Sequence, residues 1–265
     1  MKTLRRNALS GYSWLMLVFL YLPILILVLY SFNDSRINAT WTGFTWKWYV
    51  SLFENRQVMQ ALMNSLTIGI ISSVIATVLG TAAALAVKHY SLRWSNIFNG
   101  LMYLPIVIPE IMMGLALLVL FSQVQMELGK VTLILAHVTF SMPYVMVIIS
   151  GRLADMGKEL EEASQDLGAT PWETLRYVTL PLIMPGIIAG FLMAFTLSLD
   201  DFIISFFVAG PNSTTLPLYI YGLVKRGVSP EVNALSTLLI VSTVLLVVVA
   251  EIFRRKDSKN NQSIF

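Results

Sequence analysis

Residues Glu161–Ile187 read EEASQDLGATPWETLRYVTLPLIMPGI, and they separate two very apolar stretches of the chain. A segment with Glu161, Glu162, Asp166 and Glu173, two glycines and three prolines is foreign to such surroundings. Just upstream and within it, Leu160, Ala163, Ser164 and Leu167 recur at helical spacing, while Glu159, Glu161, Glu162 and Asp166 occupy other faces. Gly168 is placed to end this helix in a left-handed cap. Thr170-Pro171-Trp172-Glu173 then reads as a capping box, with Thr170 as N-cap, Pro171 at the first helical position and Glu173 at the third. The expectation is a helix, a glycine turn and a second helix, with Leu180-Pro181 and Pro185-Gly186 leading back to apolar sequence. Such a loop is a compact, rigid knob.

The knob stands out because of what surrounds it. Of the 265 residues 56% are hydrophobic and only 12% charged, with a mean hydropathy of +0.72. A soluble domain carries roughly a quarter charged residues. Six apolar runs are evident, about 12–32, 61–87, 97–121, 131–151, 184–209 and 233–253. About 20 apolar residues cross the ~30 Å hydrocarbon core as a helix, with every backbone polar group satisfied internally. The fold class is therefore an all-α polytopic membrane protein with six transmembrane helices. The first run, preceded by Lys2, Arg5 and Arg6, is longer than the core of a secretory signal and lacks a small-x-small cleavage site, so it is read as a retained span. Cysteine is absent, which excludes disulfides and thiolate metal sites.

Orientation follows from lysine and arginine. With the N-terminus inside, the cytoplasmic side holds Lys2, Arg5, Arg6, Lys88, Arg93, Arg152, Lys158, Arg176, Arg254, Arg255, Lys256 and Lys259; the other side holds Arg36, Lys47, Arg56, Lys130, Lys225 and Arg226. The split of twelve against six puts both termini in the cytoplasm. The net charge of +3 reflects this bias, and no basic stretch interleaved with aromatics points to nucleic acid. Trp41, Trp46, Trp48 and Tyr49, in the long connection after the first run, suit the membrane interface. Asn38-Ala39-Thr40 matches a glycosylation triplet, a pattern common by chance. The organisation expected is residues 1–59 as a first helix and extracytoplasmic loop, 60–253 as a core of five spans with a cytoplasmic loop at 152–185, and 254–265 as a cytoplasmic tail.

The knob thus falls on the cytoplasmic side. An amphipathic loop resting on lipid would carry a basic polar face, whereas this one is acidic, which favours a protein partner. Here the sequence resembles the permease subunits of ABC importers, whose signature loop reads E-A-A, three residues, G, nine residues, I-x-L-P. Glu162-Ala163-Ser164, Gly168 and Val178-Thr179-Leu180-Pro181 keep both spacings, with Ser164 replacing the second alanine and Val178 the isoleucine. The likeness covers roughly residues 60–250 and implies the type I importer permease fold. It also implies that the first loop helix docks in a cytoplasmic ATPase and transmits its motion, with Glu162 for polar contact and Gly168 for backbone conformation.

The chain has no Gly-x-x-x-x-Gly-Lys-Ser/Thr phosphate loop; Gly129-Lys130 and Gly157-Lys158 lack the upstream glycine and the following hydroxyl. It is read as a transport subunit and not an enzyme, without a cofactor of its own; ATP and Mg belong to the partner ATPase. Glu110, Asp200 and Asp201 lie within the apolar runs, where a charge costs about 2.5–3.5 kcal/mol on insertion scales and usually faces a cavity, a partner charge or a substrate path. Pro105 and Pro109 imply a local break before Glu110. Asp200 and Asp201 point about 100° apart on a helix, so one is expected to face the pathway while the other caps or pairs. Glu251 is expected to pair with Arg254 or Arg255. His137 is open to a proton-relay role, but a neutral histidine bonding a backbone carbonyl is the simpler expectation. The scattered methionines read as core.

Pro109-Glu110-Ile111-Met112-Met113-Gly114, the run Leu199–Phe207 with Ala209-Gly210-Pro211, and Thr215-Leu216-Pro217 resemble the spermidine/putrescine importer permeases. The resemblance implies a polyamine path, a second related permease, an ATPase dimer gripping the 159–168 helices and an extracytoplasmic binding protein, all at a bacterial inner membrane in contact with lipid. The alternatives left standing are an ABC permease for another solute and an ion-gradient-driven transporter using Glu110, Asp200 or His137. The latter leaves the spaced loop unexplained.

Overall fold

The computed structural model describes residues 2–35, 40–89, 95–227 and 230–262. Asn38 and Ala39 of the glycosylation triplet lie outside the described residues, as do the side chains of Glu251, Arg254 and Arg255. The chain forms two compact units, Met1–Met59 with Tyr219–Ser242, and Gln60–Leu218 with Thr243–Phe265.

In the first unit, α1 (Lys2–Tyr30) is followed by a short loop and α2 (Lys47–Glu54). Buried Asn33 organises the loop: its side chain donates to the Thr40 carbonyl (2.8 Å) and accepts from Thr42 N (3.0 Å), and its carbonyl accepts from Trp48 Nε1 (2.8 Å). Phe32, Phe44, Trp46 and Tyr49 pack ring against ring beside it. In the same unit, Asn55 after α2 reaches Glu231 near the start of α12 (Pro230–Gln262) at 3.4 Å.

The second unit holds most of α3 (Arg56–His89), α4 (Ser95–Val107), α5 (Glu110–Gln123), α6 (Lys130–Asp155), α7 (Glu159–Asp166), α8 (Pro171–Thr174), α9 (Leu180–Asp200) and α10 (Ile203–Val208), and the start of α11 (Leu216–Arg226). One core gathers α3, α6 and α9 around Ala76, Val145, Ile149 and Ala194; a second joins α5, α6 and α10 around Met113, Leu133, Phe140 and Ile204. Val145 shows how the helices come close. A Cβ at Gly80 of α3 would lie 2.9 Å from its Cβ, and one at Gly190 of α9 would lie 3.0 Å from its Cγ1. Lipid gives no hydrophobic drive for helix pairing, so such close packing of small residues carries the association.

Among the described residues four helices are long and apolar enough to cross a membrane, Ser10–Tyr30, Arg56–His89, Lys130–Asp155 and Pro171–Asp200. Gly100–Val107 and Glu110–Gln123 make a fifth if the pair, bent by 111°, is one span. The bend has a local cause: Pro109 is extended (φ −55°, ψ 133°), and a proline disfavours helical geometry in the residue before it. The sixth apolar run falls on α12, whose described apolar section, Pro230–Leu245, is shorter than a span. The fifth run is divided at Asp201, also extended (φ −65°, ψ 122°), into α9 and α10.

The return from the knob, through Leu180-Pro181 and Pro185-Gly186, is continuous helix. Helix runs without interruption from Pro171 to Asp200 through a π-helical turn at Leu175–Thr179. There Leu180 N bonds Leu175 O, five residues back. A proline inside an α-helix clashes with the carbonyl four residues earlier; the wider π turn just ahead of Pro181 relieves that clash without ending the helix.

Candidate functional site

The knob is built as its residues dictate. α7 ends in a Schellman motif: Gly168 N bonds Gln165 O (2.9 Å), Ala169 N bonds Ser164 O (3.1 Å), and Gly168 takes φ +90°. Thr170 Oγ1 accepts from Glu173 N at 3.3 Å and Thr170 N donates to Glu173 Oε2 at 2.8 Å, completing the capping box. The faces are the reverse of an ordinary surface helix. Leu160 is 49% and Leu167 90% exposed, joined by Trp172 and Tyr177, whereas the buried residue of α7 is Glu161, at 8%.

Glu161 Oε1 accepts from Lys88 Nζ in the last turn of α3 (3.1 Å) and from Thr179 Oγ1 in the π turn (2.9 Å). His89 Nε2 lies 3.3 Å from Oε2, while its Nδ1 is 3.0 Å from the Leu85 carbonyl. Burial alone pushes the Glu161 carboxyl up, but the hydrogen bonds from Thr179 and Lys88 and the charges of Lys88 and His89 outweigh it and hold the group below its ordinary range. Ser164, one of the two departures from the family pattern, has its own partner: its Oγ lies 2.8 Å from Thr174 Oγ1. Of the other expected coupling residues, Glu162 and Ala163 are exposed, and Leu180 and Pro181 open α9.

A second polar centre lies deeper. His137 of α6, fully buried, has Nδ1 2.6 Å from Ser198 Oγ of α9. Its Nε2 is 3.1 Å from Ser205 Oγ of α10 and 3.3 Å from Asp201 Oδ2. Ser198 Oγ also lies 3.3 Å from Ser72 Oγ of α3. Asp201 accepts from the backbone N–H of Ile204 (3.1 Å) and Ser205 (2.8 Å), so it caps α10 across the break. A neutral imidazole that donates from Nε2 to Asp201 and accepts Ser198 O–H at Nδ1 satisfies every member. Carboxylate, imidazole and hydroxyl stand in the order of a hydrolase triad, but all of them are buried and bonded to one another across helices. The network therefore holds four helices together.

Two expectations are thereby refined. His137 bonds side chains of α9, of α10 and of the break between them, not a backbone carbonyl. Of the adjacent acids, Asp201 caps and pairs while Asp200 is exposed at the end of α9; Glu110 is exposed in the first turn of α5. Ser198 and Ser205 were missed, although each lies within a helical turn of Asp201 and so had the spacing to join it. Glu161 was missed because nothing in the sequence separates it from Glu162 until the apolar stripe is known to face outward.

Bundled apolar helices, a broken helix pair and a capped acidic knob describe a membrane-embedded chain. The fold agrees with a subunit of a bacterial ABC transporter involved in the import of the acidic polysaccharide alginate, at a TM-score of 0.72 and 19% identity, over 96% of this chain and 98% of that one. The chain belongs to the family described as binding-protein-dependent transport system inner membrane component, which matches residues 76–256. It is 41% identical over 252 residues to the spermidine/putrescine transport system permease protein PotC of Escherichia coli K12, covering 95% of this chain and 96% of that protein. It is 45% identical over 229 residues to the putrescine transport system permease protein PotI of the same organism, over 84% and 82% of the two chains. It is thus a multi-pass inner-membrane permease subunit and not the ATPase of its system.

Proposed function

We propose that this chain, paired with a second related permease, forms the path by which spermidine and putrescine cross the inner membrane, driven by a cytoplasmic ATPase dimer that grips α7. An extracytoplasmic binding protein delivers the polyamine. Six spans with both termini cytoplasmic, and ATP and Mg held by the ATPase, complete the reading. The observation that carries it is the outward apolar stripe: Leu167 stands 90% exposed on a helix stopped by a rigid Schellman turn. Exposed apolar residues rimmed by charge mark a protein contact. Glu162, exposed on the same helix, supplies the polar contact, and Gly168 fixes where the chain turns.

The substrate class rests on the printed functions of the relatives and on two exposed carboxylates. Asp200 and Glu110 both stand at broken helices in apolar surroundings, where a charge is costly unless it meets a counter-charge. A multivalent organic cation supplies one. Asp201 contributes by holding the α9–α10 break in shape. Uptake of labelled spermidine and putrescine by cells carrying the intact system tests this; it should stop on ATP depletion and persist when the proton gradient is collapsed. Uptake with the opposite dependence would favour the ion-driven alternative.

A further inference from the structure

We infer that the Glu161 carboxylate is the junction through which displacement of α7 reaches α3 and α9, with Lys88 and Thr179 as its fixed partners. This rests on α7 being the element that the ATPase grips. The apolar side chains of α7 point away from the unit, so they do not hold it in place. What ties it inward is polar: Ser164 to Thr174 at its side, and Glu161 to two further elements. A single oxygen, Oε1, takes the charge-assisted bond from Lys88 at 3.1 Å and the hydroxyl of Thr179 at 2.9 Å. Charge-assisted bonds are roughly twice as strong as neutral ones, which suits a link that must transmit displacement.

The two partners begin two rods. From Lys88, α3 runs without a break to Ser72, roughly 24 Å at 1.5 Å per residue. From Thr179, α9 runs to Ser198, roughly 28 Å by the same rise. The rods meet again where Ser72 Oγ and Ser198 Oγ stand 3.3 Å apart, on the network that fixes the Asp201 break. A closed frame thus joins the knob to the break beside Asp200, and Glu161 is its cytoplasmic corner. It is a positioning residue: it touches neither substrate nor nucleotide.

The test uses the complete transporter in proteoliposomes, reading uptake per ATP hydrolysed together with the amount of ATPase that copurifies. Glu161→Gln and Lys88→Glu should retain the ATPase and lower uptake per ATP by at least about fivefold, the lower end of ordinary site-to-site coupling. The double exchange Glu161→Lys with Lys88→Glu should restore most of it. Thr179→Val, which leaves the ion pair in place, should show a smaller fall and covers the case in which a charge variant does not assemble. A merely structural role predicts ATPase retention and uptake falling in step, an unchanged ratio and no rescue; that result, or a normal ratio in every variant, overturns the junction. Leu167→Glu separates the two claims. If it keeps its ATPase, the docking reading of α7 fails; if it loses the ATPase while Glu161→Gln and Thr179→Val keep a normal ratio, only the junction fails.

Discussion

His137 Nε2 lies 3.3 Å from Asp201 Oδ2, and both groups are buried. One of two adjacent carboxylates in an apolar run is therefore committed inside the chain, while its neighbour Asp200 is exposed. Asp201 thus does structural work, and the path role proposed above falls to its exposed neighbour.

Asp201→Asn should destabilise the subunit by about 1.5–3 kcal/mol, the range for hydrogen bonds to a charged group. Asp200→Asn and Glu110→Gln should leave thermal stability in detergent unchanged and impair polyamine uptake. Melting curves and uptake on the same preparations decide it. Normal uptake in both exposed-acid variants would remove them from the path.

His137→Leu should cost about as much as Asp201→Asn, because each removes the other's partner. Contacting residues are not additive, so the double variant should be clearly less destabilised than the sum of the two. Strict additivity in a double-mutant cycle would mean that the two side chains do not depend on one another.

At Gly168 a Cβ would meet nothing within 4 Å, but the backbone sits at φ +90°. The cost of substitution is therefore conformational, about 1–2 kcal/mol for a left-handed non-glycine residue. Gly168→Ala and Gly168→Val should both uncouple ATP hydrolysis from uptake, with valine, branched at Cβ, the worse. Full transport in Gly168→Val would show that the Schellman turn is dispensable.

Glu161 has a folded pKa below its ordinary 4.5. Its stabilisation of the knob is fully present above that unfolded value and is lost as pH falls through the lower, folded one. Protection of the amides across residues 159–168, measured against the intrinsic exchange rate at each pH, should thus fall on acidification in the native chain. In Glu161→Gln that protection should already be low at neutral pH and lack the acid step. An identical acid response in both chains would exclude Glu161 as its source.

Much of the knob was legible because turn chemistry is local: the Gly168 cap and the Thr170–Glu173 box depend on a few neighbouring residues. The broken third run was legible at Pro109 for the same reason. What escaped was set by three-dimensional neighbours. The outward face of Leu160 and Leu167 breaks the rule that apolar stripes face inward, and the rule fails where a partner supplies the missing core. The commitment of Asp201 could not be told from that of Asp200 without knowing that α6 brings His137 alongside. The uninterrupted helix through Pro181 needed a π turn, for which the sequence carries no recognised signal.

Gentle purification of the chain from its native membrane, with the identity and stoichiometry of everything retained, tests the central claim most directly. The account predicts two ATPase copies and one related permease per copy of this chain, with the ATPase lost on Leu167→Glu. Recovery of the chain alone, or only with itself, under conditions that preserve other membrane complexes, would contradict it.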